Sequence, residues 1–361
     1  MAATTGEIQP EGEPGVRTDA MRPREARAAA GPTPYRGTGV RAWLARRPWR
    51  ERSFWLRYSA FYGVIGLIAV SSFLSPYFLT TENLLNVLRQ WSMVALISVG
   101  MTFVIINRGI DVSGGSILAL GCVLGAAVLP KVGVWAMIAL VLLAGTVCGL
   151  INGLAITWAN IPPFITTLGM MTIARGLALI IAEGRTIVAN LPRGFQFWTG
   201  TGRLGGIPTP ILLVVVVFLG AGFVLRLTRY GRHVALVGDN DAAAYVAGIR
   251  VQRTILSVYV IHGFLAGLAG LVFLGRLGVG EPTAGFLFEM NAIAAVVLGG
   301  TPFTGGQGGV GSTFLGVLIL GLTYNILNLL GVSPYAQDVA RGLIIILAVY
   351  VSVRRMQLGV R

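Results

Sequence analysis

The sequence predicts an all-α polytopic membrane protein, and three observations lead to this fold class. Of the 361 residues, 55% are hydrophobic and only 12% are charged, whereas soluble domains carry about 25% charged residues. Glycine occurs 50 times, and small residues allow membrane helices to approach one another closely. The arginines are concentrated in a few segments between long apolar stretches.

The apolar stretches predict about ten membrane-spanning helices, each of which needs roughly 20 residues. The third and eighth stretches are short or rich in glycine, and the eighth has only the length of a half-span. In chain order, the stretches lie near residues 59–79, 91–107, 114–130, 134–157, 162–182, 209–227, 254–275, 290–301, 311–331 and 335–353.

The arginine distribution predicts the orientation of the chain. Arginines crowd residues 1–57, 226–253 and 354–361, and cytoplasmic segments of membrane proteins are enriched in Lys and Arg. With the N-terminus inside, ten crossings place all three segments in the cytoplasm, and omission of one helix would move a basic segment outside. The net charge of +14 is thereby explained, and we expect no nucleic-acid partner.

The chain divides into a tail, a membrane domain and a short C-terminus. Residues 1–52 are rich in Pro, Gly, Glu and Arg and contain no apolar core of a signal peptide, so we expect a disordered, basic cytoplasmic tail. Residues 53–355 form the expected membrane domain, and residues 356–361 form the cytoplasmic C-terminus.

The two halves of the membrane domain resemble each other. Each contains an Asn-bearing helix, then a Pro break, then the motif Ala-Arg-Gly-Leu, first over residues 149–182 and again over 321–348. In the ten-helix count these are helices four and five, and nine and ten, so the second copy is inverted. Inverted repeats of this kind are typical of transporters. The break "RGIDVSGGS" (108–116) then corresponds to "RLGVGEPTAG" (276–285).

Residues 228–253, between two predicted spans, have a specific local pattern. We expect a short extended piece, a Gly-Asp-Asn turn and then a helix over "DAAAYVAG". Asp239 or Asn240 can cap this helix, and Gly248 is expected to end it. A capped helix in a cytoplasmic loop indicates a docking site for a partner.

Four segments resemble ATP-binding-cassette (ABC) sugar import permeases of the ribose, xylose and arabinose class, within the branched-chain amino acid and sugar permease superfamily. They are "GIDVSGGSILAL", "IPPFITTLGMMTIARGLALI", "GRHVALVGDNDAAAYVAGI" and "AIAAVVLGGTPFTGGQGGVGSTFLGVLILG". The resemblance runs in order from about Asn83 to Val349. It implies a fold like that of the vitamin B12 importer, with a 5+5 inverted repeat, and import of a monosaccharide by alternating access.

The resemblance also implies the partners. These are two ABC ATPase subunits or one fused double ATPase, a second permease copy or paralogue, and a periplasmic or lipid-anchored sugar-binding protein. In the family, the loop at 228–253 carries a coupling helix that fits a cleft on the ATPase. The loop residues that match the family pattern are Gly231, Arg232, Gly238, Asn240, Ala243, Ala244 and Gly248.

The chain itself is expected to hydrolyse no ATP. A P-loop needs a Lys after its glycines, and the sole Lys, Lys131, lies between Pro130 and Val132. ATP and Mg are therefore assigned to the partner, and no catalytic residue, cofactor or metal is expected here. The alternatives are a permease for a polyol, nucleoside, autoinducer sugar or branched-chain amino acid, an ion-coupled carrier, or a non-transporting membrane protein. Ion-coupled carriers hold ionisable residues within their spans, and here the acids lie at breaks and helix ends.

A neutral sugar needs amide or hydroxyl partners and aromatic faces along its path. For each candidate, hydrogen bonding between helices is the simpler explanation. The break at 108–116 is expected to be a hinge near the cytoplasm, not fully desolvated, with Arg108 and Asp111 as a local ion pair. The candidates for the path or hinge are Asp111, Ser113, Ser116, Asn152, Phe164, Thr167, Arg175, Asn291 and Asn325, and further polar or aromatic candidates are Asn86, Gln90, Trp91, Thr102 and Asn328.

Overall fold

The computed structural model describes Ala2 and residues 59–357, so the rest of the expected tail and residues 358–361 lie outside the described ranges. Residues 59–357 are mainly helical, because helices satisfy their backbone hydrogen bonds internally in an apolar surrounding. The elements are α1 Ser59–Leu74, α2 Thr81–Ile106, α3 Gly114–Thr157, α4 Pro163–Ala182, β1 Ile187–Val188, α5 Arg193–Gln196, a π-helical turn Phe197–Thr201, β2 Arg203–Leu204, β3 Ile207–Pro208, α6 Thr209–Leu227, α7 Arg229–Asp239, α8 Asp241–Val246, α9 Val251–Leu277, β4 Val279–Gly280, α10 Phe288–Leu298, α11 Val310–Leu329 and α12 Pro334–Gln357.

Helix α3 consists of two antiparallel halves that turn at Gly133. Gly133 has φ 77° and ψ 173°, a conformation that favours glycine. On either side of this turn, a Cβ at Gly125 would lie 3.4 Å from the sulfur of Met137, and one at Gly121 would lie 3.2 Å from a methyl group of Val141. The reversed order of these contacts shows that the chain folds back on itself, which agrees with separate third and fourth predicted spans.

The helices differ in how deeply they lie in the bundle. In its most apolar stretch, α2 is 83% buried and α9 is 61% buried, whereas α6 is 11% buried. Helices α2 and α9 therefore form the centre, and α6 presents an apolar outer face.

The fold class is confirmed. Within residues 59–357, six helices are long and apolar enough to cross a membrane, namely α2, α3, α4, α6, α9 and α11, and α1 and α10 are shorter apolar helices. The ten crossings, the five-helix repeat and the likeness to the vitamin B12 importer stay predictions.

Two small antiparallel sheets join the connecting segments. Strand β1 pairs with β4, with Ile187 opposite Gly280, and β2 pairs with β3, with Arg203 opposite Pro208. The first pairing ties the segment after α4 to the segment between α9 and α10.

Helix α9 packs against both halves of α3 through glycines. A Cβ at Gly263 would overlap the carbonyl oxygen of Gly145, and a Cβ at Gly145 would overlap that of Gly263. On the other half of α3, a Cβ at Gly270 would lie 2.7 Å from the carbonyl oxygen of Leu118. The backbones therefore touch directly, and dispersion contacts between them stabilise the helix pair where lipid offers no hydrophobic driving force.

This contact predicts that Gly263→Ala destabilises the protein by about 1–3 kcal/mol, the usual cost of overpacking, because the added methyl meets the backbone of Gly145. The measurement is the Tm of the detergent-solubilised protein. Gly220→Ala is the matched control, since nothing lies within 4 Å of a Cβ at that position of α6. Equal Tm values for the two variants would contradict the close approach.

Candidate functional site

The connection between α2 and α3 turns back into the helix bundle. A Cβ at Gly114, the first residue of α3, would lie 2.9 Å from the side chains of both Ile97 in α2 and His262 in α9. Ile97 precedes the end of α2 at Ile106 by a distance of roughly 14 Å at 1.5 Å per residue. The segment 109–113 therefore returns alongside α2, and α3 begins inside the bundle.

Asp111 in this first re-entrant segment is the centre of a buried polar cluster. Its Oδ1 accepts hydrogen bonds from the N–H (2.8 Å) and the hydroxyl (2.5 Å) of Ser113. The Nδ2 of Asn152 donates to Asp111 Oδ2 at 3.3 Å and to Ser113 Oγ at 3.2 Å. The hydroxyl oxygen of Thr167 in α4 accepts the N–H of Val112 at 3.3 Å. Asp111, Ser113, Asn152 and Thr167, here called the Asp111 cluster, are each 0% exposed.

The expected ion pair between Arg108 and Asp111 is wrong, and so is the expectation that Asp111 avoids full desolvation. Arg108 is exposed, and its guanidinium donates to the carbonyl oxygens of Thr304 (2.7 Å) and Asp239 (2.5 Å). Arg108 has φ 62°, a left-handed conformation that reverses the chain. The Arg108 side chain therefore reaches the surface while Asp111 enters the interior.

A second re-entrant segment, residues 279–287, runs beside the first half of α3. A Cβ at Gly280 would lie 2.9 Å from the carbonyl oxygen of Cys122, and one at Gly285 would lie 2.6 Å from that of Gly115. The segment thus descends to the start of α3, where α10 begins. Glu289, in the first turn of α10, is buried, and a Cβ at Gly115 would overlap its Oε2. Two helix N-termini therefore meet inside the bundle.

Arg175 of α4 holds the second segment in place. Its Nη1 donates to the carbonyl oxygens of Pro282 at 2.6 Å and Ala284 at 2.8 Å. These carbonyls lie in irregular backbone and have no helical partner of their own. The charge of the half-buried Arg175 is therefore stabilised by backbone oxygens.

The other path candidates are spread through the bundle, and several bond to other helices. Asn325 exchanges two amide hydrogen bonds with Asn83 of α2, at 2.9 and 2.8 Å. Thr102 shares a hydrogen bond with Thr313 of α11 at 2.8 Å, and Asn328 accepts one from Gln337. Ser116 and Asn291 are buried, Phe164 is 47% exposed, Gln90 is exposed and Asn86 accepts from Arg89.

An aromatic and charged group joins α2, α11 and α12. The rings of Trp91 and Tyr324 lie 5.4 Å apart, and the guanidinium of Arg341 lies 5.2 Å from the Tyr324 ring centroid. Arg341 also donates to the Tyr324 hydroxyl and pairs with Asp338 at 3.3 Å. The charge of Arg341 is thus compensated within the protein.

Residues 228–253 form two short helices. The expected extended piece is wrong, because Arg229–Asp239 is the helix α7, whose start is capped by the Thr228 hydroxyl at 3.2 Å from the Gly231 N–H. The sequence contained a signal for this helix that the sequence analysis missed. Val234 and Val237 are three residues apart and both are buried, as expected for one face of a helix.

The second helix, α8, has caps at predicted positions, with Asn240 and not Asp239 at its start. Asn240 Oδ1 accepts the N–H of Ala243 at 2.9 Å, and Gly248, with φ 80°, follows the end of the helix. Of the loop residues implied by the resemblance, Gly231, Gly238 and Ala244 are buried, and Arg232, Asn240, Ala243 and Gly248 are exposed.

Helix α8 presents an apolar surface that the sequence analysis missed. Tyr245 is 75% exposed and Val246 is 87% exposed. A groove of about 920 Å³ runs between this helix and residues 249–253, which include Arg250 and Arg253. An exposed aromatic and aliphatic pair beside such a groove is typical of a protein-binding surface.

The family model for the permease component of branched-chain amino acid transport systems matches residues 83–349. The chain belongs to this permease family. The ribose import permease of Haemophilus influenzae is 42% identical over 299 residues, covering 82% of this chain and 93% of the relative. The Bacillus subtilis ribose import permease is 43% identical over 292 residues, covering 80% and 90%. The D-allose transport system permease of Escherichia coli is 40% identical over 308 residues, covering 84% and 94%.

The resemblance derived from the four sequence segments is therefore confirmed. No solved structure matches the permease. The permease is a component of a transporter and not an enzyme, and ATP hydrolysis belongs to separate subunits.

The Asp111 cluster predicts that Asn152→Asp destabilises the permease strongly, by about 3 kcal/mol or more, because it places a second carboxylate beside buried Asp111. The exchanged variant D111N/N152D keeps one acid and one amide in the pair, and we expect it to recover most of the lost Tm. Asn152→Ala controls for loss of the amide alone. If N152D unfolds at the same temperature as N152A, the two side chains are not in contact.

Glu281, near the start of the second re-entrant segment, predicts a dependence of stability on pH. Glu281 accepts hydrogen bonds from the hydroxyls of Thr186 (2.5 Å) and Thr283 (2.8 Å), and these bonds hold the pKa of Glu281 below its usual value. A lowered pKa stabilises the fold above the unfolded pKa of about 4.3, and this stabilisation is lost as the pH falls through the folded pKa. We therefore expect Glu281→Gln to lower the Tm at pH 7, with the difference from wild type shrinking as the pH falls below about 4.3. A Tm difference between wild type and Glu281→Gln that does not change with pH would contradict an ionised Glu281 in these hydrogen bonds.

Proposed function

We propose that this chain is the membrane-spanning permease subunit of an ABC importer for a monosaccharide. The observation that carries the proposal is α8, a helix capped at Asn240 and ended at Gly248 whose exposed Tyr245 and Val246 offer a surface to another protein. An ATPase subunit that binds ATP and Mg docks on this surface, and its closure displaces α8.

The docking helix is connected to the transport domain through packed backbone. Helix α7 leads directly into α8, and a Cβ at Gly238 of α7 would overlap the carbonyl oxygen of Ile106 at the end of α2. Helix α2 is buried over most of its length. A displacement of α8 therefore reaches the centre of the bundle without passing through a flexible linker, which is what alternating access driven from outside the membrane domain requires.

The proposed topology has ten crossings, with both termini and the loop 228–253 in the cytoplasm of a bacterial cell. The two halves of α3 count as separate crossings, and α12 and the shorter α1 and α10 are included. The five-helix inverted repeat is supported by the two re-entrant segments, 109–113 and 279–287. Each precedes a helix that begins inside the bundle, and these are the breaks that the sequence comparison of the two halves pairs with each other.

The proposed solute is a neutral sugar. The buried amide of Asn291 can bond a sugar hydroxyl, whereas Thr102 and Asn325 bond to other helices. The acids Asp111 and Glu289 are enclosed within the two breaks. Relatives are named as permeases for ribose, D-allose, L-arabinose and galactose or methyl galactoside, so the same architecture serves several sugars. An external sugar-binding protein selects the sugar, and a second permease copy or paralogue completes the path.

The proposal is tested in proteoliposomes that contain the permease together with its cognate ATPase and sugar-binding proteins. We expect ATP-dependent uptake of a labelled monosaccharide. Ala243→Arg, at an exposed position of α8, is expected to lower uptake by about tenfold or more, because a long charged side chain disrupts a packed interface. Membrane insertion is expected to be unchanged.

The matched control is Ala243→Ser, which adds a single hydroxyl at the same position and is expected to keep uptake within about twofold of wild type. Uptake that survives ATP depletion and collapses with an uncoupler would contradict the proposal in favour of an ion-coupled carrier. Uptake of a branched-chain amino acid without any sugar would contradict the proposed solute.

A further inference from the structure

Three segments meet in one junction beside α8. They are the end of α2 (106–108), the α7–α8 corner (238–240) and the glycine-rich loop 302–309 between α10 and α11. The N–H of Gly306 donates to the carbonyl oxygen of Ile106 at 2.9 Å. This hydrogen bond joins the loop to α2 at the point where α7 also touches α2.

Glycines allow the three backbones to converge. A Cβ at Gly305 would lie 2.8 Å from the carbonyl oxygen of Ile106 and 2.5 Å from Cγ of Arg108, and one at Gly306 would lie 2.9 Å from Cβ of Asp239. Neither position has room for a side chain, so the three segments are in backbone contact and the stem of Arg108 passes directly over the loop.

Arg108 joins two of these segments with one side chain. Its Nε donates to the carbonyl oxygen of Thr304 in the loop at 2.7 Å, and its Nη2 donates to that of Asp239 at the α7–α8 corner at 2.5 Å. A planar guanidinium presents separate donors in a fixed geometry, which a lysine ammonium does not. Arg108 adopts φ 62°, a strained conformation that persists only where the surroundings hold the residue.

The bridged loop is rich in glycine. It contains Gly305, Gly306 and Gly308, all with positive φ, and glycine loses the most conformational freedom on ordering. The loop leads back to α10, whose first turn lies at the second re-entrant segment, and forward to α11. A displacement of the α7–α8 corner would be absorbed by this loop unless a further contact held the two together.

We propose that Arg108 is a positioning residue for transport coupling, which makes the α7–α8 corner and the loop 302–309 move as one unit and so passes the displacement of α8 to α10 and α11. The proposal rests on the proposed function, in which α8 receives the ATPase. In this proposal Arg108 determines how many sugars are imported per ATP hydrolysed, and it does not determine how the ATPase binds to α8.

The test compares wild type with Arg108→Gly in the proteoliposomes described above. Glycine accepts the positive φ of this position, so the variant is expected to insert and to stimulate the ATPase within about twofold of wild type. The number of sugars imported per ATP hydrolysed is expected to fall about tenfold. This is the factor by which loss of a hydrogen bond from a charged donor shifts an equilibrium, here the one between the joined and the separated corner and loop. Arg226→Gln is the matched control. It removes an exposed arginine at the C-terminal end of α6, which leads into α7, and it is expected to leave the sugar-to-ATP ratio unchanged.

A distance measurement reports the proposed motion directly. Spin labels at Leu236→Cys and Gln307→Cys occupy exposed positions on α7 and the loop, outside the docking helix α8, and the native Cys122 and Cys148 are buried. In the otherwise wild-type protein, the distance between the labels is expected to stay constant between the nucleotide-free and the vanadate-trapped states. In the R108G background it is expected to change between these states.

The outcomes separate the two proposals. An unchanged sugar-to-ATP ratio and a constant label distance in R108G overturn the role of Arg108 while the proposed function stands. Absence of ATP-driven uptake in wild type overturns the proposed function itself. If R108G is not recovered in the membrane, Arg108→Lys decides in the same assays, because a lysine cannot bridge both carbonyls and is expected to lower the ratio as well.

Discussion

A helix that stops inside a membrane bundle leaves backbone N–H and C=O groups that lipid cannot bond, and this constraint explains much of the interior of the permease. The Asp111 cluster supplies partners to the segment 109–113, and Arg175 supplies them to the segment 279–287. Charges that are costly in an apolar surrounding are here bonded to the irregular backbone. Their removal is therefore expected to alter the fold before it alters solute recognition.

The same breaks place two helix starts at one point. Helices α3 and α10 both begin where Gly115 and Gly285 touch, in the interior of a bundle centred on α2 and α9. Helix α2 passes this point and extends from the Asn83–Asn325 pair at one end to the Arg108 junction at the other. A buried, continuous helix with specific contacts at both ends is suited to transmit a displacement along its length, since packed interiors deform little.

Local signals and long-range contacts differ in how well they can be predicted from the sequence. The caps of α8 at Asn240 and Gly248 follow from short-range stereochemistry, and they were predicted correctly. The pairing of Arg108 was not, because its acceptors are the carbonyl oxygens of Thr304 and Asp239, which are far away in the chain and common to every residue type. The Asn152–Asp111 contact is equally remote in sequence, so both residues could be named as candidates but not joined.

The sequence by itself determined the membrane class, the positions of the apolar helices, including both halves of α3, and the capped helix α8, because hydropathy, arginine placement and capping residues act over short distances along the chain. It also carried the family membership through its four characteristic segments. Only the tertiary structure decided that Asp111 is enclosed and that Arg108 bridges the loop and the α7–α8 corner. These features depend on which backbones come close enough to touch, and that is set by the packing of all helices together.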